Sequence, residues 1–163
     1  MNDLSRYHQN RDKMQTGDLL QFSGNGIISK IIKARTGKFS HSSLVINFNE
    51  YGRRMTMTAE NRGVYPVLLS EYLGEYDGRV YWYPLKDEWD ARRRLIGGRM
   101  LDMSGIGYDW GSLFTQAIAK VSANPRRLFC SELCFLAYGF DGKAPNPSEM
   151  PSLGIFKEPV RIL

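Results

Sequence analysis

The chain has 163 residues, 42% hydrophobic and 24% charged, which fits one domain over 1–163 with its own core. No apolar run approaches the length of a bilayer span, and residues 1–15 lack the apolar stretch of a secretory signal, so the cytoplasm is the expected compartment. The formal net charge of +5 is concentrated in short runs (Arg53-Arg54, Arg92-Arg93-Arg94, Arg126-Arg127) without interleaved aromatics. They read as solvated faces, which excludes a nucleic-acid reader and stays compatible with a membrane or cell-wall surface.

Residues 1–16 read as a polar lead-in. Gly17-Asp18 introduces a short strand, Leu19-Leu20-Gln21-Phe22, and Ser23-Gly24-Asn25-Gly26 is a glycine-rich turn. Ile27, Ile28, Ile31 and Ile32 recur at helical spacing, with Lys30 and Lys33 on the other side, so a short amphipathic helix follows and ends at Thr36-Gly37-Lys38. His41 to Phe48 and Arg54 to Glu60 are strands joined by Asn49-Glu50-Tyr51-Gly52. Val64 to Leu69 is another strand, ending in a turn at Ser70 to Gly74. Arg79 to Leu85 follows, rich in aromatics. From Asp87 the pattern is helical to about Met103, broken by Ser104-Gly105-Ile106-Gly107. A second helix runs from Asp109 to about Val121, a loop with Pro125 from Ser122 to Arg127, and a third helix from Phe129 to Tyr138. The tail, 139–163, carries Pro145, Pro147, Pro151 and Pro159 and reads as irregular. Strands first and helices afterwards predict an α+β domain, an antiparallel sheet packed on one side by helices. No glycine-rich fingerprint sits between a strand and a helix, which excludes Rossmann and P-loop readings.

The chemistry gathers on few residues. The two cysteines, Cys130 and Cys134, share one helix face about a turn apart, a geometry too rigid for an easy disulfide. A zinc site needs about four ligands, and the histidines are His8, in the polar lead-in, and His41, so no metal is expected. Cys130 falls at a helix start, where unpaired N–H groups and the dipole favour a thiolate, whereas Cys134 reads as a small packed residue. His41 is the candidate base. Closing the hairpin between Asn49 and Gly52 sets Phe48 opposite Arg53, Ile46 opposite Met55 and Leu44 opposite Met57 on a largely apolar face. The same register carries His41 opposite Glu60, a carboxylate that can accept one ring N–H while the other nitrogen takes the thiol proton. A thiol, an imidazole and an orienting carboxylate make an acyl-transfer site, with the Cys130 N–H and one further donor, Tyr108 among the candidates, facing the oxyanion.

Several motifs occur in one order: Gly17-Asp18-Leu19-Leu20-Gln21-Phe22, Ser40-His41-Ser42-Ser43-Leu44-Val45, Ala59-Glu60, Gly63-Val64, Gly107-Tyr108-Asp109-Trp110 and Phe129-Cys130-Ser131-Glu132-Leu133. Over about 17–138 they resemble the YiiX/YebB-like branch of the NlpC-type papain-like superfamily. In that branch the histidine strand precedes the cysteine helix, the reverse of papain. The resemblance implies a circularly permuted papain-like fold, sheet or barrel, with Cys130 as nucleophile, His41 as base and Glu60 as third polar residue, and no cofactor. It implies hydrolysis of an amide in a cell-wall-type peptide. Related permuted members act on lipids as acyltransferases or thioesterases, and a binding module that keeps the fold is the remaining alternative.

Overall fold

A computed structural model describes residues 2–60, 63–104 and 129–163. The predicted segment from Asp109 to Val121, the loop from Ser122 to Arg127, and Tyr108 and Trp110 lie outside the described residues.

Six strands, β1 (Leu19–Gly24), β2 (His41–Phe48), β3 (Arg53–Glu60), β4 (Gly63–Leu68), β5 (Gly78–Tyr83) and β6 (Val160–Arg161), form one antiparallel sheet in the order β4-β3-β2-β1-β5-β6. Among the described residues the sheet is open rather than closed into a barrel. Strand β1 is central, and Leu19, Leu20, Gln21 and Phe22 are all sealed from solvent, so the run is apolar on both faces instead of alternating. The proline in β4, Pro66, sits on an edge strand, where a missing N–H breaks no second ladder. The β2–β3 register is the one expected: Leu44 pairs with Met57, Ile46 with Met55 and Phe48 with Arg53. The turn closes on Gly52, at φ 58, a left-handed conformation that glycine adopts at little cost.

Five helices accompany the sheet among the described residues: α1 (Ser5–Asn10), α2 (Ile27–Thr36), α3 (Leu69–Glu75), α4 (Arg93–Asp102) and α5 (Phe129–Tyr138). Helix α5 packs over β2 and β3 and against α4. Leu133, Cys134, Ala137 and Tyr138 of α5 meet Leu19, Leu44, Ile46, Met57 and Tyr83 of the sheet in one core. The opposite face is not bare. Leu20, Phe22, Val45, Val80 and Trp82 are covered there by Tyr7, Met14, Leu69, Leu73 and Ile162. Helices on one side only is therefore corrected to cover on both sides.

That second cover comes from segments too short for periodicity to reveal. The polar lead-in holds α1 and contributes Tyr7 and Met14 to the core. The expected turn at Ser70 to Gly74 lies within α3, anchored by Leu69 and Leu73. The tail expected to be irregular carries a 3-10 turn at Met150–Leu153 and the two-residue β6, which pairs with β5 through Trp82–Val160. The helix expected from Asp87 begins as a 3-10 stretch, Asp87–Arg92, with Trp89 buried, before α4 takes over. Helix α2 forms as expected, but its isoleucines do not all turn inward: Ile27 is 78% and Ile31 48% exposed.

The start of β1 is fixed by a buried carboxylate. Asp18 accepts hydrogen bonds from the backbone N–H of Gln15 at 2.9 Å and of Leu85 at 3.0 Å, from Trp82 Nε1 at 2.8 Å and from Arg93 Nη1 at 2.8 Å. Beside it, the Tyr138 hydroxyl donates to the Gly17 carbonyl at 2.9 Å, which ties the end of α5 to the start of β1. Asp18, which introduces β1 in the sequence, is a clasp joining β1, β5 and α4.

Candidate active site

Cys130 is the second residue of α5 and is 8% exposed. His41, half-buried, opens β2 opposite Phe22 of β1, their rings 5.2 Å apart and tilted by 51°. The two residues meet across the gap between helix start and strand start, 89 positions apart in the chain. Burial pushes the Cys130 thiol up. Against it act the charge of His41, a hydrogen bond with His41, and backbone hydrogen bonds from Ser42 and Ser131. Their sum holds the thiol below its ordinary value, the condition for a reactive thiolate. Cys134, one turn on, shows the contrast. Full burial and then the neighbouring Cys130 push it well above its ordinary value, as suits a packed thiol.

The hydroxyls around His41 hold the strand rather than the substrate. The N–H of Ser40 donates to the Phe22 carbonyl at 2.8 Å, and its hydroxyl donates to the same oxygen at 3.3 Å while accepting from the Gly24 N–H. Ser43, buried, bonds Thr56 and the Met57 carbonyl, stitching β2 to β3. Gly24 sits where a Cβ would lie 2.4 Å from the Ser29 hydroxyl and 2.9 Å from the Tyr76 hydroxyl, so close approach of α2 and α3 to β1 requires glycine. Tyr76 packs on Phe22, ring centroids 5.2 Å apart. Burial pushes its phenol up to about 12, against a hydrogen bond with Ser40 and with a further push from Asp77.

Two residues of the site went unnoticed in the sequence. Ser42 supplies one of the backbone bonds to the thiol, and its hydroxyl donates to Gln21 Oε1 at 3.1 Å. Gln21 is fully buried in the middle of the central strand, and its Nε2 has no hydrogen-bond partner among the described residues. The available signal was a polar residue inside Leu19-Leu20-Gln21-Phe22: a buried amide without full pairing costs stability and asks for a reason. Glu132, in the first turn of α5, is half-buried and its carboxyl is raised by that burial.

Glu60 is the last residue of β3. The β2–β3 ladder runs from Phe48–Arg53 to Leu44–Met57, and β3 continues to Glu60 paired with β4. Continued in the same register, Glu60 falls opposite His41. Of Glu60 only the backbone is described.

The fold is thus of the α+β class, an antiparallel sheet with the cysteine helix laid across the histidine strand. No family model and no curated protein sequence matches the chain. Among solved structures, the chain is similar to the crystal structure of the metalloprotein yiiX from Escherichia coli O157:H7, with a TM-score of 0.58 and 19% identity over 77% of this chain. The match spans 64% of that protein's length. At this identity the likeness concerns the fold. Metal binding is a property of that protein; among the described residues here, no group of three or more His, Cys, Asp or Glu could hold a metal ion.

Proposed function

We propose that the chain is a cysteine hydrolase with a circularly permuted papain-like fold of the NlpC type, in which Cys130 is the nucleophile, His41 the base and Glu60 the residue that orients the imidazole. The observation that carries this reading is the hydrogen bond between Cys130, at the start of α5, and His41, at the start of β2, which pairs a thiol at a helix N-terminus with an imidazole. The likeness to yiiX supports it at the level of fold.

In this mechanism His41 takes the Cys130 proton, and the thiolate attacks the carbonyl carbon of an amide. The new S–C bond leaves an oxyanion facing the Cys130 N–H at the helix start. Protonated His41 then gives its proton to the leaving amine as the C–N bond breaks. Water, deprotonated by His41, attacks the acyl-enzyme, breaks the S–C bond and restores the thiol. The substrate class is an amide of a cell-wall-type peptide. A second reading keeps every step and replaces the amide by a lipid ester or thioester. It is favoured by the exposed isoleucines of α2, a helix that ends five residues before His41.

Alkylation by iodoacetamide across pH, mapped by mass spectrometry, tests the thiol chemistry. Native protein should be modified at Cys130 at neutral pH, with Cys134 spared. His41→Ala should move the reactive pH range up toward that of an ordinary thiol, about 8.5. Equal labelling of both cysteines, or a Cys130 profile indifferent to His41, would overturn the assignment. Release of products from muropeptides against acyl esters then separates the two substrate classes.

A further inference from the structure

The outward face of α2 inverts the usual rule for a surface helix. Ile27, Lys30, Ile31, Ala34 and Arg35 recur at i, i+3, i+4, i+7 and i+8, and all five are exposed. Lys33, by contrast, turns toward the body of the protein, its Nζ donating to the Ser23 hydroxyl at 3.3 Å. Lys38, just past the helix, is exposed but turns its ammonium back over the Tyr81 ring, 4.2 Å from the centroid. The chain carries no Asp or Glu between Asp18 and Glu50, while four basic residues, Lys30, Lys33, Arg35 and Lys38, fall in that interval. Next to the N-terminal end of the helix, Asp77 accepts a hydrogen bond from Asn25 Nδ2 at 2.9 Å.

We propose that the outward face of α2 docks on an anionic lipid membrane. An exposed, branched aliphatic pair one turn apart gains by leaving water, and a helix lying in the interface can sink that pair below the headgroups. Lys30 and Arg35 keep their charges at phosphate level by laying their aliphatic stems along the apolar boundary. A soluble polyanion would satisfy these cations and leave Ile27 and Ile31 in water, so it explains half of the face. The docking surface stands on exposure and charge alone and does not require Cys130 to be a nucleophile.

Co-sedimentation of the full chain with vesicles tests this. The protein should bind phosphatidylcholine vesicles containing phosphatidylglycerol, bind pure phosphatidylcholine weakly, and dissociate as salt rises. Ile27→Ser with Ile31→Ser should weaken binding by about tenfold or more, and Lys30→Gln or Arg35→Gln by about fivefold each. Ile27→Trp should fluoresce further to the blue when anionic vesicles are added. The isoleucine variants should keep the wild-type affinity for heparin, used as a lipid-free polyanion. Failure to bind the mixed vesicles overturns the proposal. So does vesicle binding unchanged in the isoleucine variants, which would leave charge alone as the cause. A concentration-dependent dimer abolished by Ile27→Ser would overturn it too, by showing that a second copy covers the face. Cys130 alkylation in the same preparations reports the thiol site separately, so loss of one result leaves the other standing.

Discussion

Replacing Asp18 by alanine should cost about 4 kcal/mol of stability. The carboxylate is 1% exposed and accepts four hydrogen bonds. Its removal orphans the buried Trp82 Nε1–H and Leu85 N–H, at about 1–3 kcal/mol each, and breaks the pair with Arg93, for which loss of one buried partner costs about 3–5 kcal/mol in full. The Arg93 share is smaller here, because its guanidinium keeps Asp90 at 2.7 Å and the Thr16 carbonyl at 2.9 Å. Arg93→Ala should therefore cost less, about 2 kcal/mol, since Asp18 then retains three N–H donors. Asp18→Asn should fall between, because its NH2 must face another donor. Urea unfolding of the three variants with an unchanged m-value measures the order. Arg93→Ala as costly as Asp18→Ala, or Asp18→Ala within about 1 kcal/mol of the parent, would refute the view that the N–H donors, and not the ion pair, set the cost.

Three further outcomes follow from the packing. Tyr76, raised to about 12, and Tyr138, raised well above its ordinary value by burial, keep their protons in the folded state where an unfolded phenol near 10 releases them. The folded state thus binds more protons, and stability should fall as pH climbs above about 10; Tyr76→Phe should remove part of that fall in urea titrations, and an unchanged slope would exclude Tyr76. Leu133→Ala, at a sealed position between α5 and the sheet, should cost about 3 kcal/mol by the same assay, and a loss under about 1 kcal/mol would mean the helix repacks without it. Gly24→Ala should destabilise by about 1–2 kcal/mol, with part recovered in the double variant Gly24→Ala, Ser29→Gly, because the Ser29 hydroxyl is the nearest obstruction; no recovery would place the clash at Tyr76.

The central hairpin was legible because closing the loop Asn49-Glu50-Tyr51-Gly52 sets apolar residues of β2 and β3 opposite one another, and the observed register follows that closure. The meeting of Cys130 and His41 was legible for a different reason: with two histidines in the chain, one in the lead-in, few partners were available to a thiol at a helix start. Short elements escaped. A two-residue strand such as β6 and a six-residue helix such as α1 have no period to detect, and their places are set by single anchors, Ile162, Tyr7 and Met14. Gln21 and Ser42 escaped because burial on both faces of β1 becomes visible only once both sides of the sheet are covered. Along α2 the expected split failed: Ile27, Lys30 and Ile31 face outward together while Lys33 turns in to Ser23, because the fold, not the isoleucine spacing, decides which face is covered.

The bond from Tyr138 to the Gly17 carbonyl gives α5 the character of a lever. Its far end is pinned beside the Asp18 clasp, and Cys130 rides eight residues away at the other end, about 12 Å along the axis. A tilt of about 5° about that pin would swing the sulfur by about 1 Å relative to His41. Reacting groups displaced by about that distance lose rate by roughly a hundredfold. Slack introduced at the pinned end, as by Tyr138→Phe, would therefore reach the thiol as misalignment, even where the fold itself survives.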